Sequence, residues 1–537
     1  MDNLHQPPPR TGFNAWEEDA VLRYAVKRHG AEWVAPRAQE LGALVGSEQM
    51  QLLARDADRN PPELRTHDRN GNRLDQVDYH PAYHELMRLA FGAGLHSLAW
   101  SEKQDGRFAA RAALGYLWNQ GENGTACPVT MSFAACPLIE LDADLAAEWR
   151  PKLLSESYDP RALPVSKKTG VTIGMAMTER SGGSDLSASI ATVASHDGGD
   201  DYRLDGQKWF CSAPMSDAFF TLARTGKGVS CFFVPRWPED GGPNSFRLQR
   251  LKDKCGNRSN ATAEVEFLGT RARLVGEEGR GIPTLIRMAH LTRFDIVVAC
   301  AGMMRAAAAE AVHHVTHRRA FGKRLADQPL MRNVIADLAL EWEAATLTAF
   351  RLAEALDRAD DDPQEKALAR ILTPIAKYWL CKRVPVVVAE AMECLGGSGY
   401  TEDGPLARLY REAPVNGIRE GSGNVICLDV LRAIAREPDS IDALAQEIAA
   451  GDPGLTHSAD ELRQSIMHGA AVESDARRTV EKLAIAVQAS LMARHASDDA
   501  TEAFVATRIA GEGGRQLGTL PSRFLPPDLP SNLGPVA

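Results

Sequence analysis

Between about Leu163 and Leu274 the chain abandons helical spacing. The segments VTIGMAMT, YRLDGQKWF, DAFFTLART, VSCFFVPR, FRLQRL and TAEVEFLG are short and rich in β-branched and aromatic residues. Gly, Pro, Asp and Asn punctuate them at hairpin distances, which predicts an antiparallel sheet domain. On either side the period is helical. AYHELMRLAFGAGLHSLAW and RFAARAALGYLW precede the block, with NPPELRTHDRNGNRLDQ read as an interrupting loop. After Gly281, IVVACAGMMRAAAAEAVHHV, PLMRNVIADLALEWEAATLTAFRLAEAL and ILTPIAKYWLCKRVPVVVAEAMECL repeat apolar residues three and four apart, and Pro374 and Pro385 mark expected ends or kinks. Helices, sheet and helices in separate blocks make a segregated α+β fold, not an alternating one. At 537 residues the chain exceeds one core of about 250–300 residues. The expected division is an N-terminal extension (1–40), a helical domain (41–162), a middle β domain (163–275), a C-terminal helical bundle (276–440) and an extra helical region with a Pro-rich tail (441–537).

Composition removes several classes of function. The longest uncharged apolar run, Ile296 to Met304, has 9 residues, so no membrane span is expected. The start, MDNLHQPPPR, has no apolar leader core. Nine cysteines without a CxxC pair indicate cytosolic thiols rather than a disulfide frame or a zinc site, and a cytoplasmic location is expected. A net charge of −10 gives no whole-chain attraction to nucleic acid. Glu310, His313 and His317 share a helix face, as do His80 and His84, but neither group has HExxH spacing, so no metal is expected.

Four segments carry residues suited to chemistry. In MAMTERSGGSD, the hydroxyls of Thr178, Ser181 and Ser184 and two glycines could serve a phosphate or the edge of a heterocycle; a plain Gly/Ser turn would carry the same residues. In QKWFCSAPMSD, Trp209 and Phe210 could wall a flat cofactor with Ser212 as donor, or simply fill a sheet core. In IREGSGNVICLDVLRAIAR, Glu420 stands in a Gly-flanked turn, placed either for proton abstraction or for favouring the helix dipole beside a Ser422 or Asn424 cap. HRRAFGKRLADQPLMR and MECLGGSGY offer cations and close backbone approach, or a solvated helix end.

In order along the chain, MAMTERSGGSD, KWFCS, KDKCGNRSNATAEVEF, HRRAFGK, ECLGGSGY and REGSGN resemble the acyl-CoA dehydrogenase family of flavoenzymes, from about residue 80 to 436. NPPELRTHDRNGNRLDQVDYHPAYHELM, PVTMSFAACPL and RLKDKCGNRSNA bring the likeness closest to the AidB branch, flavoproteins of the adaptive response to alkylating agents. The resemblance implies an acyl-CoA dehydrogenase-like fold and FAD bound by Met177, Thr178, Ser184, Phe210, Cys211 and Ser212. Ser422, Gly423 and Asn424 would touch the same cofactor. Arg318, Gly396 and Gly397 would reach a neighbouring subunit's FAD in a homotetramer.

The implied reaction is α,β-dehydrogenation of an acyl-CoA thioester, with Glu420 taking the α-proton. Arg419, where ordinary members often carry an aromatic residue, would weaken Glu420 as a base if its cation faced the site, and Glu393 replaces a frequent Gln. The branch therefore implies weak activity on short branched acyl-CoA. It also implies double-stranded DNA as a partner, with Arg432, Arg436, Arg477 and Arg478 as candidate contacts. Residues 441–537 resist that reading, with 8 Lys and Arg against 13 Asp and Glu. Two alternatives stand beside it: a fully competent short- or branched-chain dehydrogenase of catabolism, and a non-catalytic flavin-bearing protein that shields DNA.

Overall fold

The structure, a computed structural model, describes residues 6–240, 242–451 and 473–525. The chain divides into two compact units, Leu52–Lys103 with Glu122–Thr292, and Met1–Gln51 with Gln104–Gly121 and Arg293–Ala537. Each unit is assembled from stretches far apart in sequence.

The first unit is built on a sheet that closes on itself. Its strands are β3 (Ile173–Ala176), β4 (Val193–Gly198), β5 (Asp201–Ser212), β6 (Ala218–Thr225), β7 (Gly228–Pro235), β8 (Phe246–Leu251) and β9 (Thr262–Leu274). The order β3-β6-β4-β5-β9-β7 is closed by pairing of β6 with β7, and β8 adds to β9. All pairings are antiparallel except β3 with β6 and β4 with β6. Alternation along the strands sends Phe219, Phe232, Phe246 and Phe267 into one core with Leu204, Val234 and Val265. Phe246 stacks on Phe219 at 5.1 Å and meets Phe267 at 5.6 Å.

Two stretches of sequence behave differently from their reading. The expected loop NPPELRTHDRNGNRLDQ is an antiparallel hairpin, β1 (Glu63–His67) against β2 (Arg73–Asp78). Its turn is organised by Asp68, whose carboxylate accepts the amides of Asn70 and Asn72, both at 2.8 Å. Charged side chains on both strands hide the alternation that would have marked it. Pro374 and Pro385 neither end nor divide their helix, which runs unbroken from Pro363 to Cys394. Leu372, Ile375, Val384 and Val387 are buried around the two prolines, so packing outweighs the missing backbone donors.

The second unit packs the helices Pro329–Arg358, Pro363–Cys394, Gly423–Arg436, Pro438–Ala449 and Ala476–His495 with the residues from 293 onward of the long helix Gly281–His317. That long helix is apolar and long enough to cross a membrane by length and composition, but 89% of its most apolar window is buried inside the protein. It binds the N-terminal residues through a charged centre. Asp19 caps Ala20–Arg28 at the Leu22 amide and also pairs with Arg305 at 3.2 Å. The Tyr116 hydroxyl donates to Asp19 at 2.8 Å and accepts from the Trp342 indole at 2.6 Å. Burial of that ion pair is tolerable because every member has a partner. In the expected extra helical region, Ala476–His495 is a helix and a short one follows at Asp498–Phe504, while residues 452–472 and the end of the Pro-rich tail lie outside the described residues.

At Gly302 the long helix meets Arg107–Gly121 backbone to backbone: a Cβ there would lie 2.4 Å from the Tyr116 carbonyl oxygen. Gly302→Ala must push the helices apart and should cost about 1–3 kcal/mol. Gly92→Ala, whose added carbon meets nothing within 4 Å, is the matched control. Calorimetric melting of both variants checks this, and an unchanged Gly302→Ala transition contradicts the close crossing.

Candidate active site

In the sheet unit the loop after β3 is fastened from below. Glu179 accepts the Thr192 hydroxyl and the Ala191 amide, both at 2.6 Å, and the Lys208 ammonium at 2.7 Å. Lys208 also donates to the Leu222 carbonyl at 2.7 Å. Burial pushes the Glu179 carboxyl up, but Lys208 and these donors bring it below its ordinary value. Burial brings the Lys208 ammonium down to about 8. With the glutamate fixed, the Trp209 amide donates to the Thr178 carbonyl at 2.8 Å, tying the loop to β5. The turn closes through reciprocal Glu179–Gly182 backbone bonds. Gly183 then passes so near Thr178 that a Cβ would sit 2.4 Å from its hydroxyl oxygen.

Next to this loop, Phe210 projects from β5 with 49% of its surface exposed, unusual for a phenylalanine in a strand. Ser212 is half-buried, its hydroxyl 3.3 Å from that of Thr262. Trp209 lies under the Lys252 ammonium, 3.6 Å from its ring centre. Met177 is half-buried and Ser184 is exposed. An uncovered aromatic face beside hydroxyls on a stapled loop fits a flat heterocycle with a hydrogen-bonding edge, as flavin is. Alternation along β5 turns the Cys211 side chain into the sheet core, where burial pushes the thiol up to about 12, so only its main chain belongs to the Phe210 face.

In the helical unit the carboxylate stands in a strained turn. Glu420 has φ +56° and Gly421 φ +107°, a left-handed pair just before the helix Gly423–Arg436. A glutamate held there costs about 1–3 kcal/mol. Two buried cations hold it. The Arg293 guanidinium donates to the Glu420 carbonyl at 3.0 Å, and the Lys377 ammonium donates to the Gly421 carbonyl. Arg293 is itself aimed by Asp429 at 2.8 Å, and Asp429 by Arg370 at 3.1 Å. Ser422 occupies the cap position of the following helix, yet its side chain makes no capping bond. The turn is therefore not explained by capping alone.

The Arg419 guanidinium donates to the Asn416 side chain at 2.7 Å. Burial brings the Lys377 ammonium down, and Glu420 is among the charges that raise it again. Arg293, Lys377 and Asp429 escaped sequence reading. The available signal was a charge inside an apolar helical run, Arg293 in HLTRFDIVVACAGMM and Lys377 in ILTPIAKYWL, where lone charges are rarely buried without a partner.

The remaining candidates occupy separate places. Arg318 ends the long helix and opens a small hairpin of β10 (Arg319–Ala320) and β11 (Lys323–Arg324). The hairpin turns at Phe321 and Gly322, with φ +51° and +78°, and Phe321 is 95% exposed. Gly396 and Gly397 lie exposed just beyond Pro363–Cys394, beside an exposed Glu393, and GGSG begins a short helix rather than a turn. Ser422 and Asn424 are exposed and Gly423 is half-buried. Arg432 faces Asp429 at 3.6 Å, Arg478 pairs with Asp475 at 3.1 Å, and Arg477 donates to the Tyr378 hydroxyl at 3.2 Å. Arg436 is exposed. His80 accepts the Ala82 amide as a helix cap, and His84 bonds the Tyr158 hydroxyl at 3.0 Å. Among the described residues no cluster of metal-ligating side chains is present.

Because Glu179 is buried against one ammonium, Lys208→Met should destabilise the sheet unit by about 3–5 kcal/mol. Replacing both partners, as Glu179→Gln with Lys208→Met, should recover part of that loss. Thermal unfolding of the single and double variants decides; equal stabilities would show that the pair does not hold the loop.

Comparison with known proteins identifies the domains that carry these residues. Residues 5–160 match the adaptive response protein AidB N-terminal domain, residues 174–269 the acyl-CoA dehydrogenase middle domain and residues 279–435 the acyl-CoA dehydrogenase C-terminal domain. The chain is 43% identical to AidB of Escherichia coli (strain K12) over 96% of its own length and 95% of the relative's. It is 30% identical to acyl-CoA dehydrogenase family member 11 of Caenorhabditis elegans over 82% and 73% of the two chains. The crystal structure of Caenorhabditis elegans ACDH-11 in complex with C11-CoA superposes with a TM-score of 0.87 at 26% identity, covering 98% of this chain and 95% of that one. The apo form of Bd2924 gives 0.84 at 30% identity, covering 92% and 100%. The exposed Phe210 face and the pinned Glu420 turn thus lie on matched domains, and the chain belongs to the AidB branch of the acyl-CoA dehydrogenase family, a family of FAD-dependent oxidoreductases.

Proposed function

We propose that this chain is a slow FAD-dependent acyl-CoA dehydrogenase of the alkylation-stress response, acting on short branched acyl-CoA in the cytoplasm as a homotetramer. The observation that carries the reading is the Glu420 turn, where two buried cations hold a carboxylate in a left-handed conformation. Strain kept at that expense belongs to function more readily than to capping. The C11-CoA complex of the nematode relative supports a thioester as the substrate class.

FAD, when bound, supplies the hydride acceptor. Met177, Thr178, Ser184, Phe210 and Ser212 would hold it with the Cys211 main chain, and Ser422, Gly423 and Asn424 would touch it. Arg318, Gly396 and Gly397 would serve the cofactor of a neighbouring subunit. The Glu420 carboxylate takes the α-proton of the thioester, which is acidic enough only when its carbonyl is polarised by hydrogen bonds. The Lys377 ammonium, bonded to the Gly421 carbonyl, places a buried cation beside the turn that carries Glu420. Duplex binding through the C-terminal residues gains least support. Arg494 and Arg508 are engaged with Glu447, Asp337 and Glu341, and Arg477 and Arg478 have partners of their own.

Anaerobic titration of the FAD-loaded protein with a panel of acyl-CoAs, followed by the flavin absorbance, tests the proposal. Short branched thioesters should bleach the flavin slowly, and Glu420→Gln should stop bleaching while FAD stays bound. Unchanged bleaching in Glu420→Gln removes the residue from the base role. A loaded protein that no thioester bleaches has put the fold to another use.

A further inference from the structure

Two thiols lie side by side in the helical unit, unused by the reaction proposed above. Cys300 is on the long helix Gly281–His317 and Cys381 on Pro363–Cys394, and their sulfurs are 3.8 Å apart. Both are buried, 0% and 4% exposed. The Cys381 thiol donates to the Asn416 carbonyl at 3.1 Å. The Asn416 side chain in turn accepts from Arg419 at 2.7 Å and donates to the Met303 sulfur at 3.4 Å. The pair is thus hydrogen-bonded to the segment that leads directly into Glu420.

The surroundings give the two sulfurs different characters. Burial pushes the Cys300 thiol well up. Burial also raises Cys381, but the Cys300 thiol bonded to it and the cations of Lys377, Arg419 and Lys382 bring it below the ordinary thiol value. The thiolate is the attacking form and a neighbouring thiol the resolving one. Cys136, Cys211, Cys231, Cys394 and Cys427 differ: burial pushes each of those thiols up.

We infer that Cys300 and Cys381 form a redox-active dithiol that a small hydroperoxide closes to a disulfide beneath the turn bearing Glu420. The Cys381 sulfur attacks the peroxide O–O bond, giving a sulfenic acid and releasing water. The Cys300 sulfur then displaces a second water to form the S–S bond. Two thiols lose two protons and two electrons, and hydrogen peroxide is reduced to two waters. Closing the sulfurs from 3.8 Å to about 2.05 Å removes the thiol hydrogen bonded to Asn416 and draws the two helices together. The Asn416–Arg419 contact loses its anchor, and the base turn loosens. The effect on turnover rests on the dehydrogenase reading; the cross-link does not.

The test treats the full-length FAD-loaded protein with hydrogen peroxide, blocks remaining thiols, digests it with trypsin without reduction and weighs the peptides. Residues 294–305 should appear joined to residues 378–382, and dithiothreitol should separate them. Thioester bleaching should fall about fivefold on oxidation, the worth of one lost hydrogen bond, and return on reduction. Cys300→Ala should bleach at the untreated rate before and after peroxide. Both peptides recovered as free thiols, or as sulfinic acids, when the exposed Cys255 is already oxidised overturns the dithiol. A cross-link that leaves bleaching unchanged overturns the coupling to the base turn. A cross-link in a protein that no thioester bleaches upholds the dithiol and overturns the dehydrogenase reading instead.

Discussion

Two cations buried in the helical unit donate hydrogen bonds to main-chain carbonyls, and the position of the only carboxylate suited to proton abstraction in REGSGN depends on them. Arg293 and Lys377 lie on different helices, and between them they fix consecutive peptide groups, those of Glu420 and Gly421. A buried cation needs partners, and a strained peptide needs an external force; each problem answers the other. Asp429 extends the arrangement by fixing Arg293 and accepting Arg370.

The sheet unit reaches the same end by the opposite assignment. There the buried anion, Glu179, gathers the donors, and the cation Lys208 completes the set. The result again is a main-chain loop with few degrees of freedom, here presenting Thr178 and the glycines after it. Closure of the strands through β6 and β7 gives that loop a stiff base, because a closed ring cannot shear one strand past the next without breaking two ladders.

Much of this was legible in the sequence, for physical reasons that differ by element. The switch of hydrophobic period at residue 163 and back near 281 reports burial on one face of a strand or helix, and the structure follows it. The motifs around Thr178, Phe210 and Glu420 stand out in the sequence through their glycine and hydroxyl residues and their order along the chain. The hairpin at 63–78 stayed hidden because both strands are largely charged and little of it is buried. Pro374 and Pro385 misled because local propensity was outweighed by packing around the helix. Arg293 and Lys377 were invisible to motif reading, since their partners are carbonyls more than forty residues away. The direction of Arg419 depends on Asn416, three residues earlier, and no pattern in REGSGN encodes it.

The long helix Gly281–His317 has a consequence for how the chain is made. It leaves the ribosome before the helices Pro329–Arg358 and Pro363–Cys394, which supply Trp342 and Cys381 as its neighbours. At about 5–20 residues per second, roughly 4–15 seconds pass between completion of Gly281–His317 and completion of Pro363–Cys394. Throughout that interval a helix with the composition of a membrane span is covered by segments made before it, the Arg107–Gly121 helix and the N-terminal residues among them. The close crossing at Gly302 and the Asp19–Arg305 pair both use partners already synthesised, so the earliest part of the chain shelters this apolar helix until the rest arrives.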